Sequence, residues 1–177
     1  MPQPGTHEYK HSSKLYNSGE YKSRTNCYAY AFDLINNPIT GEVFYSRNEL
    51  IFSDKPYAAQ PGMFSGYYSS SDDTIYDGTE ESNKRLVEYV KADSDRLGLD
   101  FKEYEEGMEG GYAVLLVIEP GSDYHWYRQD IDGTWSHKLG DSKVITGVED
   151  PVIDALSKNY TTIVGYYYIT EVCDVQN

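Results

Sequence analysis

A chain of 177 residues is long enough for one domain with a substantial core and too short for two domains of ordinary size. It carries 29 acidic and 15 basic residues, a formal net charge of −14. Such a surface repels phosphate groups, so neither nucleic acid nor an anionic membrane is an expected partner. The negative charge can also serve only to keep the protein soluble, without indicating a partner. The 19 tyrosines suit strands that are half-buried or that line a groove.

Residues 1–24 form a polar lead-in without the apolar stretch of a secretory signal. No apolar run of the sequence approaches the roughly 20 residues of a membrane-spanning helix. Cys27 and Cys173 lie near opposite ends of the chain, which allows one long-range disulfide but is not a disulfide framework. We therefore expect a cytoplasmic protein with a lead-in over 1–24 and one domain over 25–177.

The first predicted element is a short helix over residues 26–35. Thr25 or Asn26 can cap it, and the Asn-Asn-Pro run at 36–38 ends it. Either cap places Cys27 in the first turn of the helix.

A loop region over residues 40–78 precedes the second predicted helix. Asp77 is the expected cap of this helix, with Glu80 as its capping-box partner, and Gly98 ends it. One apolar stripe predicts its buried face: Leu86, Val87, Val90 and Leu97.

The second half of the chain reads as strands. The continuous apolar run over 112–118 predicts a central strand covered on both faces. Further strands are predicted over 123–130, 134–138 and 143–145, then a short helix over 151–158 and a last strand over 161–172. Helices followed by consecutive antiparallel strands predict an α+β fold.

Cys27 is the candidate nucleophile. In the first turn of a helix, unpaired N–H groups and the helix dipole stabilise a thiolate. The amide N–H of Cys27, together with the Asn26 side chain, can stabilise the oxyanion that forms during acyl transfer. The alternative is that Cys27 is a small buried apolar residue.

His125 is the candidate general base, since a nucleophilic thiol needs a histidine and a third group that orients it. If a three-residue loop ends at Gly133, Asp130 pairs with Thr134. His125 and His137 then lie on one face of the sheet as diagonal neighbours, which makes His137 the predicted orienting residue. A two-residue loop would put them on opposite faces.

Other assignments of these residues stay open. Asp141 or Asp150 could be the third group, with His137 a surface histidine. Cys27, His125 and His137 could also bind zinc, but the sequence has no short-spaced ligand pair, so we expect no metal and no cofactor. Aromatic residues such as Tyr28 and Trp126 either contact substrate or belong to the core.

Three segments carry a resemblance to known proteins: residues 26–31, 123–130 and 135–138. They resemble a group of mostly uncharacterised bacterial and viral proteins. In architecture the chain is similar to the papain-like superfamily, particularly the NlpC/P60 and CHAP cysteine peptidases and amidases, in which a helix carrying Cys packs on an antiparallel sheet. The Pro-Gly turn at 60–62 is similar to one found between Cys and His in those families.

The resemblance implies that Cys27 is the nucleophile, His125 the base and His137 the third polar residue. It implies a cysteine hydrolase that cleaves a peptide or protein substrate through an acyl-enzyme. The alternative function is a non-catalytic acidic binding or inhibitor protein of the phage or virus type on a papain-like scaffold. The sequence does not indicate the oligomeric state.

Overall fold

A computed structural model describes residues 16–17, 22–23, 25–33, 60–67 and 76–171. The helices with described bounds are α1 (Cys27–Ala31), α2 (Glu80–Leu97) and α3 (Pro151–Ser157). The strands are β1 (Leu99–Glu103), β2 (Tyr112–Glu119), β3 (Asp123–Gln129), β4 (Trp135–Lys138), β5 (Val144–Val148) and β6 (Thr162–Glu171). The predicted α+β class is confirmed. Within the described residues, no helix is long and apolar enough to cross a membrane.

The strands form one six-stranded antiparallel sheet in the order β1-β6-β2-β3-β4-β5. Strand β2 is buried along its length up to Glu119, as expected of a strand covered on both faces. Leu116 belongs to the core cluster that contains residues of α1 and α2, and we call this side the α1 face. Leu115 belongs to the cluster that contains Ala155 of α3, and we call that side the α3 face.

Helix α1 begins at Cys27, and Asn26, one of the two predicted caps, is its cap. The Asn26 side chain accepts a hydrogen bond from the Ala29 N–H at 2.9 Å. The helix ends at Ala31, earlier than the predicted residue 35, because Asp33 adopts a left-handed conformation with φ of 48°. The predicted stop at 36–38 lies outside the described residues.

Helix α2 has a different cap from the predicted one. Thr79 accepts the hydrogen bond from the Ser82 N–H, so the prediction of Asp77 as the cap is wrong. Asp77 instead accepts hydrogen bonds from the amide and hydroxyl of Thr79, a local turn that orients the true cap. Gly98 ends the helix as predicted, with φ of 74°.

Strand β1 was not predicted from the sequence. It has five residues, directly follows Gly98 and, among the described strands, pairs only with β6 at the edge of the sheet. Its second half is exposed, so it lacks a long apolar pattern. Strand β5 runs on to Val148, past the predicted end at 145.

The described part of the lead-in is packed against the domain. The Tyr16 side chain is fully buried, and its hydroxyl donates to Asp33 Oδ1 at 2.6 Å. Asn17 Oδ1 accepts a hydrogen bond from the Val144 N–H at 2.7 Å. Residues of this segment therefore help to cover the sheet.

Lys138 fastens the same segment to β4. Its buried ammonium group donates to the carbonyls of Lys22 at 2.7 Å and Gly140 at 2.6 Å, and also to the carbonyl of Thr25. Burial lowers the pKa of Lys138 to about 8. The three carbonyls match the three donors of an ammonium group.

Asp93 on α2 organises the turn over residues 60–67. Its buried carboxylate accepts from the Tyr28 hydroxyl at 2.7 Å and from the Gly62 N–H at 2.7 Å. The amide and hydroxyl of Ser65 donate to its other oxygen at 2.9 and 2.7 Å. One carboxylate thus joins α1, α2 and the turn.

We predict that Asp93→Asn lowers the free energy of unfolding by roughly 2–4 kcal/mol, because an amide NH2 would face donors in a buried site. Urea denaturation measures this change. Asp95→Asn, at an exposed position of the same helix, is the matched control and should stay within about 0.5 kcal/mol of the parent. Equal losses in both variants would contradict the anchoring role of Asp93.

Candidate active site

The β3–β4 hairpin brings the two predicted histidines together. The Asp130 N–H donates to the Thr134 carbonyl at 2.8 Å, and Gly133 has φ of 88°. This confirms the three-residue loop and the predicted register. His125 Nε2 and His137 Nδ1 are 2.8 Å apart in a buried hydrogen bond on the α3 face.

A carboxylate lies beyond His137, and sequence reasoning missed it. Asp154 Oδ2 is 3.4 Å from His137 Nε2, a contact within ion-pair distance that is not aligned as a hydrogen bond. Asp154 also accepts from the Tyr127 hydroxyl and from Lys158 Nζ, each at 2.7 Å. Its spacing of four from Lys158 on a predicted helix was the available signal, but that spacing alone indicates a surface pair.

The two acidic alternatives to His137 lie elsewhere. Asp150 caps α3 by accepting from the Val152 and Ile153 N–H groups. Asp141 is exposed in the turn between β4 and β5.

The Cys27 sulfur lies beside the backbone of β3. In an antiparallel sheet, the N–H groups of every second residue of a strand point to the same neighbouring strand. The Asp130 N–H points to the β4 side, so the Trp126 N–H, four residues earlier, does so too. The β3–β4 pairing ends at Tyr127 and His137, which leaves the Trp126 N–H beyond the last pair. This N–H lies close enough to the Cys27 sulfur to lower the pKa of the thiol. The thiol therefore lies next to the peptide group that joins His125 to Trp126.

The Cys27 and His125 side chains belong to different faces of the sheet. Cys27 and Trp126 share the core cluster of the α1 face. The His125 ring lies on the α3 face, where it contacts His137 and stacks on Tyr160 at 5.1 Å. The structure joins His125 to His137 by a hydrogen bond. It brings the Cys27 thiol to the backbone of β3 at Trp126, and not into a hydrogen bond with the His125 ring.

Asp123 and Tyr160 connect these two surroundings. The Tyr160 hydroxyl donates to Asp123 Oδ2 at 3.2 Å, and its ring stacks on His125. The negative charge of Asp123 in turn raises the pKa of the Cys27 thiol. Sequence reasoning assigned no role to either residue.

Burial keeps the thiol and both imidazoles uncharged. Cys27 is 6% exposed, and burial raises the pKa of its thiol to about 12, with a smaller increase from Asp123. N–H groups of Trp126, Tyr28 and Cys27 itself oppose this shift. Burial lowers the pKa of His125 well below its usual value and that of His137 to about 4.

The residues expected to contact the oxyanion or substrate have other surroundings. Asn26 Oδ1 is used in capping α1. Tyr28 and Trp126 have no exposed surface and belong to the core of the α1 face. Their rings pack at a centroid distance of 6.3 Å. Trp126 contributes to the site through its main-chain N–H rather than its ring.

The described residues contain no group of three or more His, Cys, Asp and Glu side chains arranged to hold a metal ion. The alternative of zinc on Cys27, His125 and His137 therefore has no such group to support it. Cys27 is a free thiol, and Cys173 lies outside the described residues.

We predict that stability falls as the pH drops from about 6.5 toward 4. The unfolded chain binds protons on His125 and His137 from about pH 6.5, whereas the folded protein keeps both rings neutral to lower pH. Each ring adds a slope of up to about 1.4 kcal/mol per pH unit in this window. Urea unfolding of the parent and of His137→Gln between about pH 7 and 5 should give a smaller slope for the variant, and equal slopes would contradict the assignment.

Comparisons with known proteins leave the family open. No family model matches the chain, and no solved structure matches it. A stretch of 58 residues is 40% identical to part of insoluble matrix shell protein 1 of Ruditapes philippinarum. The match covers 30% of this chain and 39% of that protein, so the chain spans well under half of this curated relative.

Proposed function

We propose that the protein is a papain-like thiol hydrolase that cleaves peptide or amide bonds through an acyl-enzyme on Cys27. The observation that carries the proposal is the 2.8 Å hydrogen bond between His125 Nε2 and His137 Nδ1. It occupies one nitrogen of His125 and leaves Nδ1 as the base for the thiol. The chain order also supports it: a helix that begins at Cys27 precedes antiparallel strands that carry the two histidines.

The position of the Cys27 sulfur sets a condition on this assignment. The N–H of Trp126, the residue after His125, lies close enough to the Cys27 sulfur to lower the pKa of the thiol, while the His125 ring lies on the other face of the sheet. Strand β4 no longer pairs with β3 at this point, so the edge of β3 is where the sulfur and the ring would have to meet. That approach, from the α1 face toward His125 Nδ1, is the movement that the proposal requires.

The protonation states favour general-base catalysis over a preformed thiolate–imidazolium pair. Cys27 stays protonated and His125 neutral at pH 7, since burial raises the pKa of the thiol and lowers that of the ring. As the sulfur attacks the carbonyl carbon, His125 Nδ1 takes the thiol proton. The C–N bond then breaks, and the imidazolium returns this proton to the leaving amine.

Water completes the cycle. His125 takes a proton from a water molecule as the water oxygen attacks the thioester, and the protonated ring returns the proton to the departing Cys27 sulfur. The carboxylic acid is released and the free thiol is restored. Throughout, His137 holds the plane of the His125 ring, with which it makes an interplanar angle of 79°.

We predict that Cys27 reacts in a way that depends on His125. In a Cys173→Ser background, p-nitrophenyl acetate should release one equivalent of p-nitrophenol in a burst and leave an acetyl group on Cys27, detected by mass spectrometry. His125→Gln should slow the burst and iodoacetamide labelling of Cys27 by at least about tenfold. Cys27→Ser should abolish both.

Trp135→Phe is the matched control for loosened packing. Trp135 is buried on the α3 face, so a smaller ring there loosens the layer around His125 without removing an imidazole. Loosening by itself would leave the rate of Cys27 labelling unchanged or raise it, whereas losing the base is expected to lower that rate. Equal labelling rates in the parent and in His125→Gln would end the hydrolase proposal.

The second candidate is a non-catalytic acidic interaction protein. A thiol that is 6% exposed, with a pKa raised by burial to about 12, has the properties of a structural cysteine. The net charge of −14 favours a role in binding cationic partners. In this case Cys27 would label slowly at every pH and independently of His125.

A further inference from the structure

Asp154 is held in place by two donors. Its Oδ1 accepts from Lys158 Nζ and its Oδ2 from the Tyr127 hydroxyl, each at 2.7 Å. The Tyr127 ring also stacks on His137, with centroids 4.4 Å apart and an interplanar angle of 25°. One tyrosine therefore fixes the carboxylate and the imidazole relative to each other.

The carboxylate is ionised at neutral pH. Burial raises the pKa of Asp154, but hydrogen bonds from Lys158 and Tyr127 and the charges nearby outweigh it, so the pKa is lower than usual. Its Oδ2 faces the buried Nε2 of His137 at 3.4 Å. The contact is not aligned as a hydrogen bond, but a negative oxygen at this distance repels a ring lone pair and attracts an N–H, so Nε2 of His137 carries the proton.

The remaining proton positions follow from this one. A neutral imidazole carries one N–H, so Nδ1 of His137 is an acceptor. Because that acceptor is 2.8 Å from Nε2 of His125, Nε2 of His125 is the donor. Nδ1 of His125 is then left with its lone pair, the form that can take a proton from a thiol.

We infer that Asp154 is a positioning residue that sets the tautomers of His137 and His125 in sequence and thereby keeps Nδ1 of His125 unprotonated. Its role in catalysis rests on the proposed function, whereas the tautomers do not. Asp154 acts on Nδ1 of His125 through two imidazole rings that are joined by one hydrogen bond. It contacts neither the thiol nor a substrate.

The test is the ¹⁵N spectrum of histidine side chains at about pH 7, in which protonated and unprotonated ring nitrogens differ. In the parent, both His125 and His137 should carry the proton on Nε2. In Asp154→Asn the amide NH2 can donate to His137 Nε2, which reverses both rings and places a proton on Nδ1 of His125. Labelling of Cys27 by iodoacetamide should then slow by at least about tenfold.

Two further variants make the result specific. Asp141→Asn makes the same chemical change at an exposed turn and should alter neither the spectrum nor the labelling rate. Asp154→Glu retains a carboxylate, so both Nε2–H tautomers should persist. It also provides the comparison if Asp154→Asn does not fold.

The outcomes separate the two proposals. A parent spectrum with His125 protonated on Nδ1, or unchanged tautomers in folded Asp154→Asn, overturns the role of Asp154. If the tautomers are as stated and reverse in Asp154→Asn, while Cys27 labelling is indifferent to His125→Gln, the hydrolase proposal fails and the tautomer assignment stands.

Discussion

The hydrogen bond from the Asp130 N–H to the Thr134 carbonyl closes the β3–β4 loop and sets the register on which both faces of the sheet depend. Side chains alternate along a strand, so a slip of one residue would exchange the two faces of β4. His137 would leave His125. Lys138 would leave the carbonyls of the segment before Cys27, and Ser136 would leave the Tyr30 hydroxyl, now 2.7 Å away. One turn therefore fixes polar contacts above and below the sheet.

The abundance of tyrosine accounts for many of the buried polar groups. A buried phenol fills the core only if its hydroxyl has a partner. Tyr28 donates to Asp93, Tyr112 to the carbonyl of Ala31 at 2.8 Å, and Tyr127 to Asp154. These partners tie helices to strands across long sequence separations. They also hold carboxylates inside the fold: Asp93 is buried on α2, and Asp154 lies beside His137.

Local signals predicted the parts of the fold that local interactions determine. Gly133 fixed the loop length and hence the pairing of the two histidines, and the side chain of Asn26 capped α1 as expected. Asp77 and Thr79 are both good capping residues, and only their mutual hydrogen bonds decide between them. The early end of α1 at Ala31 depends on the left-handed Asp33, which the sequence pattern does not reveal.

The candidate site was predictable only in part, because its other contacts are tertiary. That Cys27 would meet the backbone of β3 rather than the ring of His125 depends on how α1 packs against β3, which no local pattern indicates. Asp154 likewise reaches His137 only because α3 covers that face of the sheet. On the sequence alone Tyr28 and Trp126 could be groove or core residues, with the core favoured, and their full burial on the α1 face places them in the core.

The buried ammonium group of Lys138 bears on what counts as the smallest folding unit. Two of its three acceptors, the carbonyls of Lys22 and Thr25, belong to the stretch that precedes the helix of Cys27. In a shortened polypeptide that began at Asn26, the ammonium group of Lys138 would keep only the carbonyl of Gly140 as an acceptor. Burying a cation with so few hydrogen bonds carries a severe desolvation penalty. The stretch before the helix is thus an integral brace of the scaffold, and any autonomous fragment must reach back at least as far as Lys22.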